Sequence, residues 1–462
     1  VKIKVEDVDG ILKRQREFFQ SGRTRDVEYR VKKLKKLKTN IIKNERDILK
    51  ALKQDLNKSE FEAYETEVGM VLEEINMAIR KTKKWSKIEK VRTPLMHFGT
   101  KSYIYKEPYG IVLNISPWNY PFQLALSPII GALSAGNCAI LKPSKYSKAT
   151  SEVLERLIKE TFKEEYVAVV AKDGGKDEIN ELLNHKFDYI FFTGSPKVGK
   201  VVMAKAAENL TPVTLELGGK SPCIVHKDAD VKKASKRIVW GKFLNAGQTC
   251  VAPDYLMVHE DIKEELIYYI KKDIEEFFGE DPRLSDDFGR IINERQFNRL
   301  VSYLDRGHVI YGGNQNSKER YISPTLMDTL SWAYPIMQEE IFGPIFPIME
   351  YKDINSMVKL LSGRPKPLAL YLFTESKEVE KKVLDNISFG GGCVNDTVIH
   401  VASPYVPFGG VGNSGMGAYH GRESFELFTH RKPILKKTTF FDIKVRYAPY
   451  KEKLKLLKKI LK

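Results

Sequence analysis

The sequence predicts an α/β protein built around a parallel, doubly wound sheet. Three observations carry that expectation. Short apolar runs, "GIVLNI", "CAILK", "YVAVV" and "YIFFTG", have the length and apolar content of strands buried on both faces. Helical periodicity separates them, and strands alternating with helices of this length imply βαβ units. Several of the runs also end in loops of Gly, Pro, Ser, Asn or Lys, at the carboxyl ends where such sheets bind ligands.

Taken in order, residues 6–85 repeat their apolar positions at helical spacing with charged faces between, and two or three amphipathic helices are expected. "SYIYKEPYGIVLNISPWNYPF" then gives an alternating edge strand, a buried strand and a proline-rich loop. Residues 124–141 carry no charge, yet Pro128, Gly131, Gly136 and Asn137 divide them into a buried helix, a turn and a buried strand, not a membrane span. Helices are expected near 151–162 and 176–183 and from Pro196. A second α/β region begins near Leu217, with strands at "SPCIVH", "YLMVH", "HVIYGG", "PIFPIMEY" and "LALYLFT" and a helix over 261–278. Glycine-rich loops, "SFGGGCVND" and "PFGGVGNSGMGAYHG", follow. "PILKKTTFFDIKVRYAPY" alternates like a strand that pairs with residues 101–106 as an outlying ribbon, and an exposed edge of that kind invites dimerisation.

A chain of 462 residues has core enough without disulfide or metal staples. Cys138, Cys223, Cys250 and Cys393 lie far apart without C-x-x-C spacing, which argues against a disulfide framework or metal cluster and fits a reducing cytoplasm. The first residues lack the apolar core of a signal peptide. The net charge of +16 suits an anionic partner such as a nucleotide. The basic runs lack the interleaved aromatics of a nucleic-acid groove, and no nucleic-acid partner is expected.

"YIFFTGSPKVGK" runs from a buried strand through a tight turn into a helix, with Gly194 and Gly199 five apart. It matches neither G-x-G-x-x-G nor a triphosphate loop, but it delivers a helix N-terminus to a strand end, where a pyrophosphate binds. A plain strand-turn-helix is the alternative. "CAILK" ends in Lys142, Pro143, Ser144 and Lys145. Either these lysines are surface charges or they face a phosphorylated ribose, the place where a carboxylate commonly holds the 2′-OH.

Three further residues form a chemical set. Cys250 sits in "NAGQTCVAP", a polar, glycine-softened setting unlike that of a packing cysteine. Glu216 ends an apolar run before Gly218-Gly219, where burial raises a carboxylate toward general-base range. Asn119 brings a side-chain N–H to a buried strand end, and the Cys250 N–H, expected at a helix start, is a second donor. A thiol, a base and two oxyanion donors suffice for nucleophilic chemistry at a carbonyl. Each residue also has a structural reading: carboxylate in a hydrogen-bonded core, turn residue, helix-cap neighbour.

"PWNYP", "LKPS", "FFTGSPKVG", "LELGGKSP", "NAGQTCVAP", "QEEIFGP" and "PFGGVGNSGMG", in this order over residues 108–420, resemble the signature motifs of the aldehyde dehydrogenase superfamily. "RPKPLALYLF" and "GMGAYHGRESFELFTHRK" are most similar to its dimeric class-three branch, which includes the fatty-aldehyde dehydrogenases. The resemblance implies a Rossmann-like NAD(P)-binding domain with N-terminal helices (1–90 and 107–215) and an α/β catalytic domain (216–395). It also implies a small β oligomerisation ribbon (91–106 and 430–450), a site-lining segment (396–429) and a basic amphipathic tail (451–462).

It further implies oxidation of a medium- or long-chain aliphatic or aromatic aldehyde to the acid, with NAD or NADP, by a homodimer. Cys250 is then the nucleophile, Asn119 and the Cys250 N–H hold the oxyanion, and Glu216 activates water. Lys142, Ser144, Lys145, Gly194, Ser195, Val198, Gly199, Leu217, Glu340 and Phe342 fall on the cofactor side, and Tyr64, Tyr120, Thr249, Phe408 and His420 on the substrate side. Many family members place glutamate where this chain has Lys145, and its loss favours NADP or dual use. Transfer of the acyl group to coenzyme A is an alternative, against which Glu216 argues. A non-catalytic membrane-surface protein of the same fold is another. If residues 451–462 are helical, Leu454, Leu456, Leu457, Ile460 and Leu461 share one face, and peripheral membrane contact stands beside a frayed or subunit-packed tail.

Overall fold

The computed structural model describes residues 8–170, 176–328 and 331–460. Among these, six strands form one sheet in the order Gly415–Met416, Val213–Leu217, Tyr189–Gly194, Ile111–Ile115, Cys138–Lys142, Val167–Val169. All pairings are parallel except that of Gly415–Met416. The chain steps outward from Ile111–Ile115 on one side and returns through Tyr189–Gly194 on the other. The strand order therefore reverses between these two strands, and their carboxyl ends flank the crevice in which a doubly wound sheet takes its ligand.

The charge-free segment is the wholly buried helix Gln123–Ala135, a turn at Gly136 (φ 102) and the strand Cys138–Lys142. Asn137 fixes the turn: its Oδ1 accepts from the Gly110 N–H, and its Nδ2 donates to the Ala132 and Phe428 carbonyls. No described helix is long and apolar enough to cross a membrane.

A second sheet runs His308–Tyr311, Thr325–Asp328, Ile345–Tyr351, Tyr255–His259, Pro222–Val225, Ala369–Phe373, Gly391–Val394, parallel except at His308–Tyr311. Residues 391–394, expected as loop, are its edge strand, because "GGGCV" pairs along Ala369–Leu372 where a glycine-rich chain can approach closely. A third sheet joins Glu89–Val91, Thr100–Pro108 and Thr429–Lys437. The last two pair antiparallel from Thr429↔Pro108 to Lys437↔Thr100. The alternation expected to continue to residue 450 stops at Lys437, and only a short turn of helix, Lys444–Arg446, follows.

The N-terminal region holds more helices than the periodicity suggests: Val8–Gln20, Val27–Lys43, Glu45–Leu56 and Gly69–Trp85, with the short turns Glu60–Ala63 and Tyr64–Val68. The breaks fall at Asn44 and at Asn57, which is left-handed at φ 57. Neither interrupts the spacing of the apolar residues, which is why the sequence hides them. At the other end, Lys453–Ile460 is helical with Leu454, Leu456 and Leu457 exposed. Leu461 and Lys462 lie outside the described residues.

Candidate active site

After the helix Val231–Phe243, the residues Asn245, Ala246 and Gly247 take φ of 53, 52 and 73 in succession. Asn enters this left-handed region at modest cost and Gly at none. A side chain at Gly247 would also lie 2.3 Å from the Gly343 carbonyl oxygen. The reversal sets Cys250 in a turn before Tyr255–His259, not at the helix start expected from the sequence. Instead of capping a helix, the N–H groups of Cys250 and Val251 favour the anion of the thiol. Burial, followed by the charges of Glu340 and Glu216, outweighs them and pushes the thiol up to about 12. Gln248 braces the turn, donating to the Asn245 and Arg290 carbonyls and accepting from the Ile292 N–H.

Asn119 is buried four residues after the strand Ile111–Ile115. Its carbonyl accepts from Lys58 Nζ at 3.2 Å and from Asn245 Nδ2 at 2.8 Å, so it bridges the N-terminal helices and the cysteine loop. Lys58 is fully buried and pairs with Glu67 at 2.6 Å. Glu67 also accepts the N–H groups of Phe122 and Gln123. Glu62 accepts the Asn245 N–H at 2.9 Å, and burial pushes its carboxyl up to about 7.

Glu216, in the strand Val213–Leu217, is 3 % exposed and neither carboxylate oxygen has a partner. Burial holds it well above the usual carboxylate range. The strand Gly415–Met416 pairs Gly415 with Glu216 and brings the glycine-rich segment against it. Glu340 lies beside the next residue: a side chain on Gly218 would fall 2.0 Å from Glu340 Oε2. The Gly219 N–H donates to Glu340, while burial, then Asp254, push its carboxyl up to about 8.

The other residues expected on the cofactor side lie mostly at the strand ends of the first sheet. Ser195 caps the helix Pro196–Glu208 by accepting the Val198 N–H, and Gly199 lets that helix rest on Leu217, where a side chain would meet Leu217 at 2.8 Å. Gly194 leaves room for the Phe192 ring. Lys142 is a buried cation paired with Glu178 at 3.2 Å. Ser144 accepts the Tyr146 N–H, and Lys145 is exposed above the Tyr146 ring. Phe342, at φ 53, meets Trp118 edge-on at 5.2 Å.

Of the residues expected on the substrate side, Tyr120 and Thr249, the residue before Cys250, share a 2.5 Å hydrogen bond between OH and Oγ1. Phe408 bridges to Tyr419 through the backbone and stands 5.7 Å from the His420 ring. His420 (φ 85) stacks on Tyr419, has Nδ1 3.6 Å from Glu74 Oε2, and keeps Nε2 buried without a partner. Tyr64 is 43 % exposed, its ring lying along its own helix at Gly69. No contact of Tyr64 joins it to Cys250.

A profile of the aldehyde dehydrogenase family matches residues 2–434. The chain belongs to that family. A "4,4'-diaponeurosporen-aldehyde dehydrogenase" of Staphylococcus aureus is 50 % identical over 96 % of this chain and 97 % of its own length. The mouse "aldehyde dehydrogenase, dimeric NADP-preferring" is 45 % identical over 96 % and 98 %. A solved structure, the "substrate bound state of Staphylococcus aureus AldH", superposes with a TM-score of 0.96 at 48 % identity, covering 98 % of this chain and 99 % of that one. This aldehyde dehydrogenase falls in the class-three branch and oxidises aldehydes with NAD or NADP.

Packed around Asn119, the 245–251 turn and His420 are residues that sequence patterns did not single out: Lys58, Glu62, Glu67, Glu74, Asn245, Gln248, Tyr371 and Tyr419. Tyr371 OH donates to the Val251 carbonyl. Polar residues at a helix break, as in "DLNKSEFEAYETE", were the available signal for the first three, and helical periodicity masked it.

Proposed function

We propose that this enzyme converts an apolar aldehyde, medium- or long-chain aliphatic or aromatic, to the carboxylic acid through an acyl thioester on Cys250. The observation that carries the reading is the unpartnered, buried Glu216, whose charge acts on the Cys250 thiol. Glu216 is basic enough to accept a proton and has no hydrogen bond to give up first. Cys250 Sγ attacks the carbonyl carbon, its proton passing by way of Glu216 to solvent, which leaves the carboxylate free for the later step. The carbonyl electron pair moves to oxygen, where Asn119 Nδ2 and the Cys250 N–H donate to it. A bound nicotinamide would supply the acceptor for the hydride of the tetrahedral carbon, whose oxygen electron pair then re-forms the carbonyl of the Cys250 thioester. Glu216 then draws a proton from water, the hydroxyl adds to the thioester and the thiolate leaves. A water-activating base disfavours coenzyme A as acceptor.

The chain's residues fit a dinucleotide. Ser116 Oγ and Thr193 Oγ1 are buried without partners at adjacent strand ends of the first sheet. The N-terminus of Pro196–Glu208 stands there too, offering N–H groups to a pyrophosphate. Lys145 is the exposed cation for a 2′-phosphate, since Lys142 is engaged by Glu178, and we assign NADP-leaning or dual use to it. Lys145→Glu is expected to shift the NADP to NAD ratio of kcat/KM toward NAD by about tenfold. An unchanged ratio overturns the assignment. The 4,4'-diaponeurosporen-aldehyde in the Staphylococcus relative's name supports an aldehyde substrate, and an aldehyde panel from short aliphatic to long-chain and aromatic, assayed with both cofactors, tests the apolar reading. Cys250→Ala is expected to remove the NAD(P)H burst, and a surviving burst rejects the mechanism.

The mouse relative's name and the exposed Ile434 and Leu435 on Thr429–Lys437 support a homodimer formed through the third sheet, measurable as mass by light scattering. Four free thiols support a cytoplasmic location. Peripheral membrane contact through residues 451–462 rests on the exposed leucines of Lys453–Ile460. Equal sedimentation with anionic vesicles after removal of the tail rejects it.

A further inference from the structure

We infer that Lys58 is a positioning residue for the oxyanion site, acting through the Asn119 carbonyl. The inference rests on the reading that Asn119 and Cys250 perform the chemistry. A buried lysine is costly unless its charge is compensated and its protons are used. Lys58 meets both demands with three partners: Glu67 at 2.6 Å, the Asn119 carbonyl at 3.2 Å and the face of the Tyr120 ring, 3.9 Å from its centroid. Neutralising Lys58 needs only Glu67. The other two contacts hold two consecutive residues, Asn119 through its backbone and Tyr120 through its ring, and Tyr120 is bonded to Thr249, the neighbour of Cys250.

The geometry gives Lys58 a specific lever. The peptide unit between Asn119 and Tyr120 has its carbonyl pinned from one side by Lys58 and from the other by Asn245 Nδ2. Rotation of that unit swings the Asn119 and Tyr120 side chains together. Tyr120 OH is tied to Thr249, the residue before Cys250, and Glu67 holds the next N–H groups, at Phe122 and Gln123. The Asn119 loop is thus fastened to the Cys250 loop at one carbonyl and one hydroxyl, and Lys58 secures the carbonyl with a charge-assisted bond. Lys58 never touches the aldehyde. It sets where the oxyanion donor stands relative to the sulfur, and displacements of about 1 Å in such a donor cost roughly a hundredfold in rate.

A double-mutant cycle separates positioning from general support. Lys58→Met, Asn119→Ala and the double variant are compared by the rate of the NAD(P)H burst, normalised to the fraction of chains that bind NADPH. Lys58→Met is expected to slow the burst about a hundredfold but by less than about threefold when Asn119 is already alanine. Alkylation of Cys250 by iodoacetamide stays within about twofold of wild type. Equal losses in both backgrounds, or no loss in the first, overturn the inference. If Lys58→Met does not fold, Asn245→Gly removes the second donor to the same carbonyl while glycine accepts the φ of 53. It must slow the burst about tenfold and be silent beside Asn119→Ala, and a wild-type rate overturns the inference. Failure of the underlying reading shows separately, as turnover retained in Cys250→Ala.

Discussion

The two sides of the cysteine are built in opposite ways. Around Asn119 and the turn 245–250 most polar groups are used: Lys58, Glu67, Asn245 and Gln248 each make two or more polar contacts and Glu62 accepts the Asn245 N–H, while Asn245 Oδ1 is the exception left without a partner. Around Glu216 the side chain makes no hydrogen bond, and both carboxylate oxygens are buried without a partner. The difference matches the demands on each group. An oxyanion donor contributes through its location, so its backbone is tied from several directions. A base contributes through proton affinity, which each hydrogen bond to its anion would lower. Order on one side and deprivation on the other serve the same reaction.

The largest test of this contrast falls on the bare side. Glu216→Gln keeps the shape and removes the base. Turnover is expected to fall by about three orders of magnitude, with an NAD(P)H burst that survives and an acyl-enzyme visible by intact mass. Steady turnover near wild type breaks the contrast, because Glu216 would then be an unsatisfied core carboxylate only. Supplying a partner is a gentler form of the test. A donor near the carboxylate should lower its proton affinity and shift the pH profile toward acid.

The pH profile carries the sign of the same idea. Burial raises Glu216, and its working form is deprotonated, so deacylation is present above the raised pKa and lost as pH falls through it. Turnover should therefore climb with pH across a range well above that of an ordinary carboxylate, and Glu216→Gln should flatten that limb. A limb that persists in Glu216→Gln assigns it to another group, of which Glu340, at about 8, is the nearest candidate.

The crowded side predicts a smaller loss on removal of its donor. Asn119→Ala is expected to lower kcat/KM by about 10² to 10³, with cofactor binding within about twofold. A loss of the same size in cofactor affinity would mean that the loop supports the nucleotide crevice, not the oxyanion.

How much of this was legible in the sequence follows the same division. Most strands of both sheets and the wholly buried segment 124–141 read clearly because fully buried strands are short apolar runs, whereas Val213–Leu217, Thr325–Asp328 and the glycine-rich Gly391–Val394 and Gly415–Met416 did not. Cys250, Glu216 and Asn119 stood out because each is polar at an element end. The supporting residues did not, because Lys58, Glu62 and Glu67 look like ordinary charges among the many of the N-terminal helices. Only the tertiary fold brings them to Asn119 and Asn245, more than fifty and nearly two hundred positions away. Lys142 was legible as a lysine but not as a paired one, since Glu178 lies across a separate helix. The left-handed run at 245–247 was equally hidden, for only Gly247 announces it.

Glu62 gives the smallest and most selective test, since it belongs to the crowded side yet carries an acid that burial has raised. Its carboxyl stands at about 7 in the fold against an ordinary 4.5, a gap of roughly 3 kcal/mol. The sign follows from linkage. Below the ordinary value the acid is protonated folded or unfolded, and no penalty arises. Between the two values the unfolded chain releases a proton that the folded chain keeps, so stability falls as pH rises toward 7 and levels beyond it. Glu62→Gln retains an oxygen for the Asn245 N–H and removes the titration. It should leave thermal stability at pH 5 nearly unchanged and raise it at pH 8, with turnover at neutral pH altered by less than about threefold. A variant destabilised at both pH values would show that Lys58 needs the charge of Glu62 as well as that of Glu67. The crowded side would then be an ionic network, not a set of separately satisfied bonds.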